Sequence, residues 1–153
     1  MQSVRVEAKN GSYDILIGDG ILGNLCEYLK DFTRKLIVTD DIVYDLYKDY
    51  MKDCEVIVIP AGEQSKSHEM LFKIYDKMCD MRMTRSDVAV AFGGGVIGDL
   101  TGYAAASFKR GIKFIQVPTT LLAQVDSSVG GKVAVNLPKG KNMVGAFYQP
   151  CLV

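Results

Sequence analysis

At 153 residues the chain is long enough to bury one substantial core and short enough to form a single domain. Hydrophobic residues make up 48% and charged residues 24%, the balance of an ordinary globular protein, which excludes intrinsic disorder. The net charge of zero conceals a split: residues 1–108 carry 12 basic and 17 acidic side chains, whereas residues 109–141 carry Lys109, Arg110, Lys113, Lys132, Lys139 and Lys141 against Asp126 alone.

Residues 3–9 and 12–17 alternate apolar and polar (Val4, Val6, Ala8, then Tyr13, Ile15, Ile17), with Asn10-Gly11 between them, and predict a β-hairpin. After Gly18-Asp19-Gly20 the period changes, and Ile21, Leu22, Leu25, Tyr28 and Leu29 fall on one face of a helix. Short apolar runs then recur at residues 35–39, 55–59, 88–92 and 113–117. Their lack of alternation predicts strands covered on both faces of a parallel sheet. The helix between the first two runs has Ile42, Val43, Leu46, Tyr47 and Tyr50 as its expected inner face. Ser65 or Ser67 can cap the next helix, whose face is Leu71, Ile74, Tyr75, Met78 and Met81. This alternation of strand and helix predicts an α/β fold over residues 1–153: a Rossmann-like open, mostly parallel sheet with helices on both faces, preceded by the N-terminal hairpin.

Cys26, Cys54, Cys79 and Cys151 are too widely spaced for a zinc motif and are expected to be reduced, buried thiols. No apolar run approaches the ~20 residues of a membrane span, and the first residues lack a signal-peptide core, so a cytoplasmic protein with no membrane partner is expected. The cations of residues 109–141 lack interleaved aromatics, which favours a small phosphorylated ligand over nucleic acid.

In open α/β sheets ligands bind beyond the carboxyl ends of the strands, and polar residues cluster there. Gly93, Gly94, Gly95, Val96, Ile97, Gly98 and Asp99 follow a strand and open a helix, where missing Cβ atoms and free N–H groups suit a pyrophosphate. Gly98, Gly102 and Ala106 also suit close helix–sheet packing. The acidic residue of the usual dinucleotide fingerprint is absent some 20 positions on. Asp40 or Asp41 can accept from a ribose in its place, or cap the helix that follows. Glu63 and Lys66 lie in a turn after the next strand and can hold ribose hydroxyls and phosphate. Thr119 and Thr120 open a helical turn that leads through Leu122, Asp126 and Ser127 to Gly131-Lys132. A P-loop reading of that lysine fails, because Asp126 stands where the first glycine is needed and Val133 where Ser or Thr is needed. With Arg110, Lys141 and Asn142, Lys132 can instead form a cationic pocket for a phosphorylated polyol. His68, the single histidine, supports no nucleophilic-hydrolase arrangement.

The stretches PAGEQSKS (60–67), FGGGVIGDLTGYAAASFKRG (92–111), FIQVPTTLLAQVDSSVGGKVAVN (114–136) and GKNMVGAFYQP (140–150) together resemble the 3-dehydroquinate synthase family, in the family's order. Ala61 replaces an aspartate frequent there. The resemblance implies an NAD- and metal-dependent carbon–oxygen lyase of the shikimate pathway, acting on 3-deoxy-D-arabino-heptulosonate 7-phosphate. It implies transient oxidation of a ring hydroxyl by NAD, elimination of phosphate and re-reduction before ring closure. Carried over by position, Asp40, Glu63, Lys66, Gly94, Gly95, Val96, Ile97, Gly98, Asp99, Thr119, Thr120, Leu122, Ser127, Lys132 and Lys141 would border NAD. Lys132, Asn142, Arg110 and Asp126 would face the substrate. A divalent metal, zinc or cobalt, would be held by a helical C-terminal domain, and the full-length enzyme would be a homodimer. The chain therefore reads as a fragment that stops within a strand at Val153, without metal ligands of its own and inactive alone. A different sugar-phosphate cyclase, or a non-catalytic NAD-binding module, is the alternative.

Overall fold

The structure is a computed structural model describing residues 1–9 and 11–153. It begins with the antiparallel pair β1 (Gln2–Ala8) and β2 (Gly11–Ile17), in which Val4 faces Ile15 and Val6 faces Tyr13. Gly11 belongs to β2 and pairs with Ala8; the other residue of the expected Asn10-Gly11 turn, Asn10, lies outside the described residues. A 3-10 turn, Ile21–Asn24, leads into α1 (Leu25–Leu29). The predicted strands follow as β3 (Lys35–Asp40), β4 (Glu55–Ile59), β5 (Val88–Gly93) and β6 (Lys113–Pro118), parallel in the order β4-β3-β5-β6.

Helices cover both faces of this sheet. On one, α3 (His68–Asp80) and α4 (Gly95–Ser107) pack Leu71, Ile74, Met78, Ile97, Leu100 and Ala104 against Leu36, Val38 and Ala89. On the other, α1 and α2 (Asp41–Tyr47) bring Leu25, Leu29 and Val43 to Ile37, Val88, Val90 and Phe92. Every residue of β5 is buried, as expected of a central strand, whereas β4 lies at the edge and leaves Val58 exposed. Ser67 caps α3 by accepting from the Met70 N–H, while Ser65 turns its hydroxyl to the Pro60 carbonyl.

Two expectations of burial are corrected. Ile42, Leu46 and Tyr50 are exposed, and Val43, Tyr44 and Tyr47 form the inner face of α2. The short helix ends at Tyr47 and is aimed by its cap at Asp40, which rotates the Ile42–Leu46 row to solvent. Cys26, Cys79 and Cys151 are exposed and Cys54 is half-buried; all four are free thiols.

Beyond the expected elements, β7 (Lys132–Leu137) and β8 (Gly140–Phe147) form an antiparallel ribbon lying over α4. Val133 and Val135 are buried in the same core as α4. The alternation of these residues with Lys132, Ala134 and Asn136 is the signal that marks the strand. Gly102 is what admits the ribbon: a Cβ there would collide with Val133 and lie 3.3 Å from Phe114. Gly102→Val is therefore expected to lower stability by about 1–3 kcal/mol, read as a reduced melting temperature, through overpacking.

Residues 151–153 join hairpin and sheet. Leu152 bridges in parallel to both Ile115 and Asp14. Cys151 N–H donates to Phe114 O (2.8 Å), Gln116 N–H to Leu152 O (3.0 Å), Val153 N–H to Asp14 O (3.0 Å) and Leu16 N–H to Val153 O (2.8 Å). The segment, expected to lie within a strand, makes isolated bridges at Leu152 and no strand of its own. No helix among the described residues is long and apolar enough to cross a membrane.

Candidate functional site

The loops that follow β3, β4, β5 and β6 stand in a row along the carboxyl edge of the sheet, because the strands are in register: Asp40 pairs with Ile59, Thr39 with Phe92, and Gly93 with Pro118. Asp40 caps α2 by accepting from the Val43 N–H at 2.9 Å. Asp41 accepts from the Ala61 N–H at 2.9 Å and ties the second loop to the first. Thr119 N–H donates to Gly93 O at 3.0 Å and ties the fourth loop to the third.

The glycines at the end of β5 divide into two kinds. A Cβ on Gly93 would meet Ile97 at 2.6 Å, and one on Gly98 would meet the Gln116 side chain at 2.8 Å, so these positions serve packing. Ile97 is itself in the core, and the Gly98 N–H is bonded to Gly94 O within the helix. The side chain of Ile97 thus packs into the core and the amide of Gly98 is bonded within the helix, at two of the positions expected to border a ligand. Gly94 and Gly95 instead border an opening: added Cβ atoms would lie 3.1 Å from Thr120 Cγ2 and 3.1 Å from Ser127 Oγ. Gly94 begins α4 without a side-chain cap, and the first turn carries no acidic residue, so its N–H groups and the positive end of the helix dipole face that opening. Thr119 Oγ1 is buried and has no hydrogen-bond partner among the described residues.

Behind this junction lies a polar network that crosses three elements. Lys66 is only 5% exposed, and its ammonium group bridges the Asp99 carboxylate on α4 and Asn142 Oδ1 (2.5 Å) in β8. Burial pushes the Asp99 carboxyl above the usual aspartate range, against the pull of Lys66 and Lys132 and with Glu63 adding to the push. Glu63 accepts from Asn136 Nδ2 at 2.8 Å and has Lys141 Nζ at 3.8 Å. Asn136 also receives the Asn142 N–H on Oδ1 (2.9 Å) and donates its own N–H to Lys66 O (2.9 Å). Asn136 was not among the residues the sequence marks as functional; its signal is a polar side chain ending an alternating strand just before a Pro-Lys-Gly turn.

Asp99, Asp126, Ser127, Lys132 and Asn142 line a cleft of about 470 Å³, together with Phe147. Asp126 and Ser127 reach it from the π-helical turn Ala123–Ser127, and Lys132 from the first position of β7. The predicted pocket is therefore brought together around Lys132, Asn142 and Asp126. Lys66, expected in the turn after β4 to hold ribose or phosphate, is buried and bonded to Asp99 and Asn142 of this cleft. Leu122 is 66% exposed, turned away from the cleft lining. Arg110 is not among the residues that line the cleft: it follows the far end of α4, a 13-residue helix about 20 Å long that begins next to Gly94. No group of three or more His, Cys, Asp or Glu side chains able to hold a metal occurs among the described residues.

An open parallel sheet with helices on both faces and polar loops along its carboxyl edge defines a Rossmann-like α/β domain. The chain belongs to the 3-dehydroquinate synthase N-terminal family, whose model matches residues 56–153. A 3-dehydroquinate synthase of Hydrogenovibrio crunogenus is 50% identical over 163 residues, covering 100% of this chain and 45% of that protein. The chain thus spans less than half the length of this relative. Among solved structures, a 2-deoxy-scyllo-inosose synthase complexed with carbaglucose-6-phosphate, NAD+ and Co2+ superposes with a TM-score of 0.87 at 28% identity, over 99% of this chain and 44% of that one. The 2-epi-5-epi-valiolone synthase of Streptomyces hygroscopicus, with NAD+ and Zn2+ bound, superposes with a TM-score of 0.84 at 34% identity, over 97% of this chain and 44% of that one.

Proposed function

We propose that this chain is the NAD-binding half of a 3-dehydroquinate synthase, converting 3-deoxy-D-arabino-heptulosonate 7-phosphate to 3-dehydroquinate and phosphate in the shikimate pathway. The observation that carries the reading is the strand–helix junction whose Gly94 and Gly95 face Thr120 and Ser127, beside a cleft holding both cations and carboxylates. The 50% identity to a 3-dehydroquinate synthase, against 28% and 34% to two cyclases of other substrates, favours this activity within the superfamily.

The residues fit a dinucleotide. The N–H groups opening α4 would donate to its pyrophosphate, and Thr119 Oγ1 offers a donor that is otherwise unmatched. Glu63 and, with its free oxygen, Asp40 would accept from ribose hydroxyls. The chemistry the bound cofactor supplies is transient hydride acceptance from a ring carbon, which acidifies the neighbouring C–H. Lys132 and Asn142 would bind the anionic groups of the substrate across the cleft, and Asp126 would orient its hydroxyls. Among the described residues no group of three or more His, Cys, Asp or Glu could hold a divalent metal, so no step is assigned to one. In the proposed full-length enzyme, a cytoplasmic homodimer, the metal belongs to a helical C-terminal domain.

In that longer enzyme Lys132→Ala removes a charge-assisted contact of roughly 1.5–3 kcal/mol, and kcat/KM should fall about ten- to a hundredfold. Unchanged steady-state kinetics would take Lys132 out of the site. The 153-residue chain alone, supplied with NAD, zinc and the heptulosonate phosphate, is expected to release no phosphate. A catalytic zinc needs about three protein ligands, and zinc-dependent turnover by the chain alone would refute the division of labour between the two halves.

A further inference from the structure

We infer that Asn136 is a positioning residue that couples the nucleotide side of the cleft to its substrate side. The inference rests on the reading of residues 93–99 as a nucleotide site. Three bonds converge on Asn136. Its Nδ2 holds Glu63 at 2.8 Å, its backbone N–H holds Lys66 O at 2.9 Å, and its Oδ1 receives the Asn142 N–H at 2.9 Å. The first two fix the turn after β4; the third fixes a residue of the cleft. Asn142 needs that restraint, because it is held at a φ of +54°, a left-handed conformation that asparagine tolerates without being confined to it. Asn136 can reach both sides because the register of β7 and β8 slips between Val135 and Leu137. Such an irregularity re-aims the side chain that carries it.

The coupling is completed by Lys66, shared between Asp99 and Asn142. A ligand that draws on Glu63, Lys66 or Asp99 shifts groups bonded, directly or through Asn136, to Asn142. Only an amide meets these demands at once, giving to a carboxylate on one side and accepting from a backbone N–H on the other. Aspartate keeps the acceptor for Asn142 and sets a second carboxylate against Glu63. The charged groups facing Glu63 are Lys141, at 3.8 Å, and Asp99 across Lys66; both are common to wild type and variants. Any difference in pH profile therefore reports on residue 136.

The test is titration of the chain with NAD from pH 5 to pH 8, comparing wild type with Asn136→Asp and Asn136→Ala. Asn136→Asp is expected to bind about tenfold more weakly at pH 8 and to approach wild type near pH 5, as the opposed carboxylates take up a proton. Asn136→Ala, which removes both side-chain bonds without adding charge, should show a weakening that follows the wild-type pH profile. A residue with a merely structural role would lower the melting temperature of both variants without the pH-dependent recovery. Wild-type affinity in both variants across the range would overturn the inference while leaving the nucleotide reading intact. Failure of the wild-type chain to bind NAD would overturn both.

Discussion

Asp87→Ala should cost the fold about 2–4 kcal/mol at neutral pH and flatten its loss of stability in acid. Asp87 is 1% exposed and sits just before β5. Its carboxylate accepts from the Arg34 N–H (2.9 Å), the Thr84 N–H (2.6 Å) and the Thr84 hydroxyl (2.9 Å), with the Arg34 guanidinium at 3.6 Å. It thereby fastens the start of β3 to the start of β5. Burial alone would raise its pKa, but the Thr84 and Arg34 bonds outweigh burial and hold the carboxyl below the usual aspartate range. A depressed folded-state pKa contributes stability that is fully present above the unfolded value, about 3.9, and is lost as pH falls through the lowered one. Urea unfolding of wild type and variant at pH 7, 4 and 3 measures this. The gap between them should be widest at pH 7 and narrow toward pH 3. A gap independent of pH would show that the bonds act without the charge.

Gly94→Val is expected to weaken NAD binding at least a hundredfold while leaving the melting temperature nearly unchanged. Gly94 has φ −77° and ψ −169°, a backbone conformation open to valine, so the substitution adds no backbone strain. Its Cβ would come within 3.1 Å of Thr120 Cγ2, and its methyl groups would fill the gap through which a pyrophosphate meets the first turn of α4. Gly102→Val is the contrasting case, since its side chain enters the core beneath the ribbon. Calorimetric titration together with thermal melts separates the two effects. Equal affinities for wild type and Gly94→Val would remove residues 93–99 from the nucleotide site.

The parallel sheet was legible because its strands are nearly unbroken apolar runs and their helices carry clear stripes, as in Leu71, Ile74 and Met78. α2 was less so: seven residues make barely two turns, and its cap at Asp40 decides which stripe turns inward. The ribbon of β7 and β8 escaped because Gly131-Lys132 draws attention to a loop motif, away from the valine alternation that follows. In the candidate site, Ile97 and Gly98 adjoin the glycine loop in sequence, and it is helical periodicity that turns Ile97 to the core and Gly98 to Gln116. Arg110 matched in charge and motif, but it is not among the residues that line the cleft. The burial of Lys66 comes from its bonds to Asp99 and Asn142 across α4 and β8, and no local pattern contains that information. Asn136 is invisible for the same reason: its partners, Glu63, Lys66 and Asn142, are joined only by the tertiary fold.

The attachment of the amino-terminal hairpin through residues 151–153 sets an order on how the molecule is made. β1 and β2 are adjacent in sequence and can pair as soon as both exist, within about 1–10 microseconds. The backbone that anchors them, Leu152 against Asp14, is supplied roughly 140 positions later, a separation that belongs to slow, non-local pairing. During synthesis the hairpin emerges first and stays undocked while the four parallel strands assemble. Its exposed β2 edge finds its place only when the segment after Pro150 has left the ribosome. A ribosome stalled short of that point would hold a formed α/β core with a loose amino-terminal hairpin, open to proteolysis at its root near Gly18-Asp19-Gly20.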